Sequence, residues 1–322
     1  MILLTERPRL DARLLAVGRG GLPARGPQSV AASLQRGLRA LELPFALNPR
    51  KLRSSGGPVG VLSGVEALRD AIAWKREAPG GRLIAGPNLV VLPSDAGGLI
   101  TCTEIDLVLV PSTWVKDLYE EEAPTLRGRV AVWPAGVDPS YWAPAASGNY
   151  QRRQSAQPHA LIYLKALAGQ RNPSDYDLSQ TRTELERAGF SHEQVEYGSY
   201  RSDGFLSALQ RADLMVAFSP SESQGIGLLE AWSANTPTFV WAMGEAFIKG
   251  RRFETSSAPF LGRETGAEFQ SSSELAELLK GFADCGGERF RPREWVLNNM
   301  TDSQAAKRYW DLAHGRDTLD LA

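Results

Sequence analysis

Cysteine is scarce in this chain, and no stretch is apolar over the length of a membrane span. The two cysteines, Cys102 and Cys285, lie far apart, and neither has a nearby Cys or His at the spacing that holds zinc. This usage indicates a reducing compartment and argues against a zinc site. Acidic and basic residues interrupt positions 1–15, so we expect no secretory signal sequence. The predicted location is the cytoplasm, and contact with the inner face of a membrane is left open for a lipid-linked substrate.

A surplus of charge of either sign is also missing. The chain has 36 basic and 37 acidic residues, a formal net charge of −1, so no overall positive field would attract nucleic acid. We expect no nucleic-acid partner. The length of 322 residues exceeds what one ordinary core accommodates and suits two domains of about 150 residues each.

The first half alternates short apolar runs with helical patterns. The apolar runs cover 14–17, 44–47, 59–62, 83–85, 89–92, 105–110 and 129–132. Apolar residues recur at helical spacing over 28–41 and 65–75, and another helix is expected after Ser112. A glycine loop, Gly18 to Gly21, follows the first run. Alternation of this kind predicts a parallel sheet covered by helices on both faces.

A second alternation follows a polar stretch between Pro144 and Pro158, where we place a linker. Strands are predicted at 160–165, 195–197, 214–218 and 238–241, and helices at 178–188, 205–212, 226–233, 271–282 and 303–312. The prediction is an α/β chain of two Rossmann-like, doubly wound domains, which bind ligands beyond the carboxyl ends of their strands. The domains are 1–146 and 147–301. Residues 302–322 form a C-terminal helix, and its packing on the first domain is one alternative.

The segment Ala212 to Pro237 carries the most chemical information. It predicts a strand, a polar turn with Glu222, and a helix with Glu230. The helix N-terminus offers unpaired N–H groups and the positive end of a dipole, and Gly225 and Gly227 let a phosphate approach the backbone. Two carboxylates beside an anion are costly unless they accept hydrogen bonds from hydroxyl groups. The pattern therefore favours a nucleotide sugar over a bare phosphate.

This segment resembles the donor signature of the family-4 retaining glycosyltransferases of the GT-B fold, including its two glutamates separated by seven residues. Pro111-Ser112 and Pro134 to Asp138, followed by Trp142, resemble the end of that family's first domain. The resemblance implies a GT-B fold, with two domains facing a central cleft. It also implies transfer of a sugar from a nucleoside-diphosphate sugar to a carbohydrate, lipid-linked or protein acceptor, with retention of configuration.

The resemblance also assigns roles to single residues. Glu222 would approach the sugar hydroxyls, Glu230 would hold the ribose, and Lys165 would neutralise the diphosphate. Arg171 competes with Lys165 for that role. The remaining donor-binding residues would line the phosphates or face the cleft: Gly20, Gly21, Ser221, Gln224, Gly225 and Ile226.

No metal or other cofactor is expected, because the resemblance implies charge stabilisation by lysine and helix amides. Asp175-Tyr-Asp177 imitates the DxD metal site of another glycosyltransferase fold, but it lies in a predicted loop and is more simply a solvated pair.

Two departures from the family pattern leave alternatives open. Family members often carry a His in the first domain, but His159, His192 and His314 all lie outside it; Asn88 is one candidate substitute. The alternative functions are a non-catalytic nucleotide-sugar-binding subunit and a GT-B nucleotide-sugar epimerase. Asn235 replaces the usual glycine near the end of the signature, and asparagine is the next best residue for a left-handed helix end. The sequence does not specify the nucleotide, the sugar, the acceptor, the linkage or the oligomeric state.

Overall fold

A computed structural model describes residues 1–6, 26–52, 57–145, 157–165, 178–285, 287 and 289–316. The chain divides into two compact units. The first comprises Met1–Gly136 and Asp302–Ala322, and the second comprises Val137–Thr301. The division between Gly136 and Val137 precedes the boundary predicted at 146/147, and most of the predicted linker, 146–156, lies outside the described residues.

The first unit is built on a parallel sheet with the strand order β2-β1-β3-β4-β5-β6. Its strands are β1 (Ile2–Leu4), β2 (Ala46–Leu47), β3 (Val59–Ser63), β4 (Leu83–Asn88), β5 (Leu107–Val110) and β6 (Val130–Val132). Its helices are α1 (Gly26–Ala40), α2 (Val65–Glu77), α3 (Thr113–Glu122) and, from the end of the chain, α9 (Asp302–Ala313). Short helical turns occupy Asp95–Gly98, Leu99–Thr101 and Pro124–Leu126.

Helix α9 packs against α1 and the sheet of this first unit. Gly37 lets α1 and α9 approach closely, because a Cβ there would lie 2.0 Å from the carbonyl oxygen of Asp302. Arg36 forms an ion pair of 2.6 Å with the Asp302 carboxylate. The buried indole of Trp133 donates a hydrogen bond of 2.9 Å to the carbonyl of Ala305. Residues from the two ends of the chain thus share one core.

The second unit has a parallel sheet with the strand order β13-β10-β9-β7-β8. Its strands are β7 (His159–Leu164), β8 (Ser191–Glu196), β9 (Leu214–Phe218), β10 (Thr238–Trp241) and β13 (Gly266–Phe269), and β11 (Glu245–Ile248) and β12 (Arg251–Glu254) form a separate antiparallel hairpin. Its helices are α4 (Leu178–Arg187), α5 (Ser202–Arg211), α6 (Ile226–Ser233), α7 (Ser272–Cys285) and α8 (Pro292–Asn299). Central strands that are apolar on both faces, such as β9, need helices on both sides.

The structure corrects the predicted elements in several places. Residues 89–92 form no strand, and the pattern missed β1, the hairpin β11–β12, β13 and helix α8. The strand predicted over 14–17 lies outside the described residues. Over the described ranges, every helix is too short or too polar to cross a bilayer.

Candidate functional site

The turn between β9 and α6 forms the centre of the candidate site. Strand β9 ends at Phe218 and α6 begins at Ile226, the bounds predicted from the sequence. Gly225 caps the helix in the left-handed conformation, with φ 77°, which glycine adopts without the steric cost of a Cβ. Its carbonyl accepts hydrogen bonds from Leu228 N–H and Leu229 N–H, at 2.9 and 3.1 Å. The first N–H groups of a helix have no intrahelical acceptor, so this turn presents donors and a positive dipole end to a ligand.

Two of the predicted site residues form a direct ion pair. Lys165 Nζ lies 2.6 Å from Glu222 Oε2, and the two side chains are 16% and 6% exposed. Lys165 follows the end of β7, and its backbone N–H donates to the carbonyl of Phe218 at the end of β9. Register between neighbouring parallel strands therefore brings together residues 57 positions apart. Lys165 Nζ also lies 5.0 Å from the centre of the Tyr197 ring, within the range of a cation–π contact.

Backbone hydrogen bonds hold Glu222 in the turn. Its N–H donates to the carbonyl of Ser256 at 2.8 Å, and the neighbouring Ser219 hydroxyl donates to the carbonyl of Ser221 at 3.1 Å. The side chains of Ser221 and Gln224 are buried as well. The turn is therefore a fixed scaffold rather than a solvated loop. No sequence pattern points to Ser256, because it contributes a backbone carbonyl rather than a side chain.

Glu230 lies in the second turn of α6 and is half-buried. Burial raises the pKa of its carboxyl to about 8, because a poorly solvated carboxylate is costly. After burial itself, the negative charge of Glu230 is one of the influences that raise the pKa of Tyr141, Tyr163 and Tyr200. A poorly solvated carboxyl at this position would favour hydroxyl donors from a ligand.

The structure gathers six predicted site residues around this turn: Lys165, Ser221, Glu222, Gln224, Gly225 and Ile226. Glu230 follows on the same helix. Gly20, Gly21 and Arg171, together with Asp175 and Asp177, lie outside the described residues. Within the ranges that the structure covers, no group of three or more His, Cys, Asp or Glu side chains is placed to hold a metal ion.

Sequence reasoning missed two residues near the turn, Tyr163 and Tyr200. Tyr163 belongs to the apolar run of β7 and is only 3% exposed, so its pattern resembles that of any core strand residue. Tyr200 follows β8 in a polar loop. Burial, and to a lesser extent the charges of Glu222 and Glu230, raises the pKa of both hydroxyls.

Comparisons with known proteins identify the fold. No protein-family model matches the chain, and no curated protein matches its sequence. Anabaena HepE in complex with UDP and glucose is 11% identical, with a TM-score of 0.56 over 97% of this chain and 98% of its own. A glycosyltransferase from Rickettsia africae is 10% identical, with a TM-score of 0.57 over 98% of each chain. The lipopolysaccharide outer core galactosyltransferase WaaB in its apo form is 10% identical, with a TM-score of 0.56 over 96% and 97%. These neighbours are GT-B glycosyltransferases, and the chain has the GT-B fold.

Proposed function

We propose that this protein is a metal-independent, retaining glycosyltransferase that uses a nucleoside-diphosphate sugar. The observation that carries the proposal is the Lys165–Glu222 ion pair beside the N-terminus of α6. It joins a cation suited to a diphosphate with a carboxylate suited to sugar hydroxyls. The likeness to HepE, solved in complex with UDP-glucose, supports a donor of this class.

In the proposed reaction the bond between the anomeric carbon and the diphosphate oxygen breaks, and the nucleoside diphosphate leaves with the electron pair. Lys165 and the N–H groups at the start of α6 stabilise the negative charge that develops on the leaving group. The acceptor hydroxyl oxygen bonds to the anomeric carbon on the face that the leaving group vacates. Its proton passes to an oxygen of the departing diphosphate, so no protein nucleophile is required.

The two glutamates have different tasks in this scheme. Glu222 accepts hydrogen bonds from the sugar hydroxyls, and Glu230 accepts them from the ribose. Burial raises the pKa of Glu230 to about 8, so its ionisation is costly. Hydrogen bonds from the ribose hydroxyls would compensate this cost. The acceptor is a carbohydrate, a lipid-linked sugar or a protein, and the enzyme acts in the cytoplasm, including its membrane face for a lipid-linked acceptor.

The test is donor turnover with UDP-, GDP-, ADP- and dTDP-sugars, with and without a panel of acceptors. We expect the wild type to release nucleoside diphosphate and form a glycoside with one of these donors. Glu222→Gln should lower transfer by at least a hundredfold, whereas Glu277→Gln, at an exposed glutamate of α7, should be unchanged. Full activity in Glu222→Gln would refute the assignment. Donor turnover without any acceptor would favour an epimerase, and binding without turnover would favour a non-catalytic subunit.

A further inference from the structure

Two tyrosine hydroxyls meet beside the first turn of α6. The Tyr200 hydroxyl donates to the Tyr163 hydroxyl over 3.4 Å, which is long for a bond between two hydroxyl groups. Tyr163 is 3% exposed. It lies two residues before Lys165, so the two side chains project from the same face of the sheet. The Tyr200 ring stacks on Phe205 with 4.6 Å between ring centres. Packing holds the two rings, and the long hydrogen bond between the hydroxyls sets the direction of the Tyr200 hydroxyl while being weak enough to be exchanged for one to a ligand.

Gly227 brings the pair against the helix backbone. A Cβ at Gly227 would lie 3.0 Å from the Tyr163 hydroxyl oxygen, so this hydroxyl lies directly beside the second residue of α6. The N–H groups at this end of the helix are where a diphosphate would bind. A hydroxyl donor at this position would therefore add to those N–H groups.

Charge explains why a phenol suits this position. Burial, together with Glu222 and Glu230, keeps the pKa of both tyrosines well above the ordinary value. Each hydroxyl therefore stays protonated and neutral over the physiological range. A neutral donor can lie beside two carboxylates and still bind an anionic ligand, and a phosphate oxygen is a stronger acceptor than a phenol oxygen.

We propose that Tyr200 is a donor-binding residue that transfers its hydrogen bond from Tyr163 to the diphosphate when the nucleotide sugar binds. Tyr163 is a positioning residue that holds the Tyr200 hydroxyl toward the first turn of α6 before the ligand arrives. This inference rests on the proposed function, because it assumes a diphosphate at that turn.

The test compares Tyr200→Phe, Tyr163→Phe and the double variant with the wild type. The probes are UDP, GDP, ADP and dTDP, and the nucleoside of whichever binds the wild type most tightly. Tyr200→Phe should weaken diphosphate binding about tenfold, because it removes one hydrogen bond to a charged group, and should change nucleoside binding less than twofold. Tyr163→Phe should weaken diphosphate binding by a smaller factor. The double variant should bind no more weakly than Tyr200→Phe alone, because Tyr163 acts through Tyr200.

Thr183→Val serves as the control, because it removes an exposed hydroxyl on α4 of the same unit and should leave both affinities unchanged. Thermal unfolding shows whether each variant is folded. Three results would each overturn the inference. Tyr200→Phe could lose equal affinity for diphosphate and nucleoside, or lose none, or the affinity losses of the two single variants could add in the double variant. If none of the four diphosphates binds the wild type, the proposed function itself is refuted; binding that Tyr200→Phe leaves intact refutes only this inference.

Discussion

Neutralising both members of the Lys165–Glu222 pair should destabilise the second unit by less than the sum of the two single neutralisations. At 2.6 Å between Nζ and Oε2, the Coulomb attraction in an effective dielectric of about 20 is roughly 6 kcal/mol. Desolvation of two mostly buried charges offsets much of this attraction. We therefore expect Lys165→Met and Glu222→Gln each to cost about 3 kcal/mol. In the double variant the cost should fall about 2 kcal/mol below the sum of the single costs.

Hydrogen exchange of the β9 amides measures this coupling, because it reports on the stability of the second unit separately from the first. The exposed pair Arg291–Glu294 of the same unit, 3.7 Å apart with side chains 65% and 67% exposed, is the control, and its coupling should stay below about 0.5 kcal/mol. If the double variant at 165 and 222 were destabilised by the full sum of the two single variants, the two charges would not interact in solution. The position assigned to Lys165 would then have to be abandoned.

Three further predictions concern single side chains. Burial raises the pKa of Glu230 to about 8 in the folded chain, above its value in the unfolded chain. Between these two pKa values the folded state keeps a proton that the unfolded state releases. The free energy of unfolding should therefore fall as the pH rises from about 4.5 to about 8, by on the order of 4 kcal/mol. Urea denaturation at pH 5 and 8 should show this slope in the wild type and not in Glu230→Gln, and an equal slope in both would contradict the burial of Glu230. The Tyr309 hydroxyl is buried without a hydrogen-bond partner among the described residues, so Tyr309→Phe should raise the free energy of unfolding by about 1 kcal/mol; a loss of stability would reveal an acceptor that the structure lacks. Asn235 has a φ of 63°, so Asn235→Ala should lower the melting temperature, whereas Asn235→Gly should preserve or raise it; equal melting temperatures would mean that this backbone conformation is unstrained for alanine.

The sequence predicted the second unit well where local signals agree. Helix α6 and strands β9 and β10 have the predicted bounds, because glycine, proline and a continuous apolar run define each end. The left-handed conformation expected at Asn235 is confirmed. These features depend on residues close in sequence, which is why pattern and propensity could find them.

Other features depend on distant contacts or short elements. Strand β1 has three residues, Ile2–Leu4, too few to show alternation, and its place in the sheet depends on pairing with β3. Lys165 was an expected ligand of a diphosphate, but its contact with Glu222 follows from strand register across 57 residues. Tyr163 has the pattern of an ordinary core residue. The roles assigned to the site residues stay predictions, including those of Gly20, Gly21 and Arg171, which lie outside the described residues.

Helix α9 also constrains when the first unit can fold during translation. Residues 1–136 emerge from the ribosome long before Asp302 is synthesised. Helix α1 therefore lacks its packing partner, α9, while the whole second unit is being translated. Gly37 and Arg36 find their contacts only after Asp302 has been synthesised. A stop codon before residue 302 would therefore damage the first unit, which was translated earlier, and would leave the apolar side of α1 exposed to chaperones and proteases.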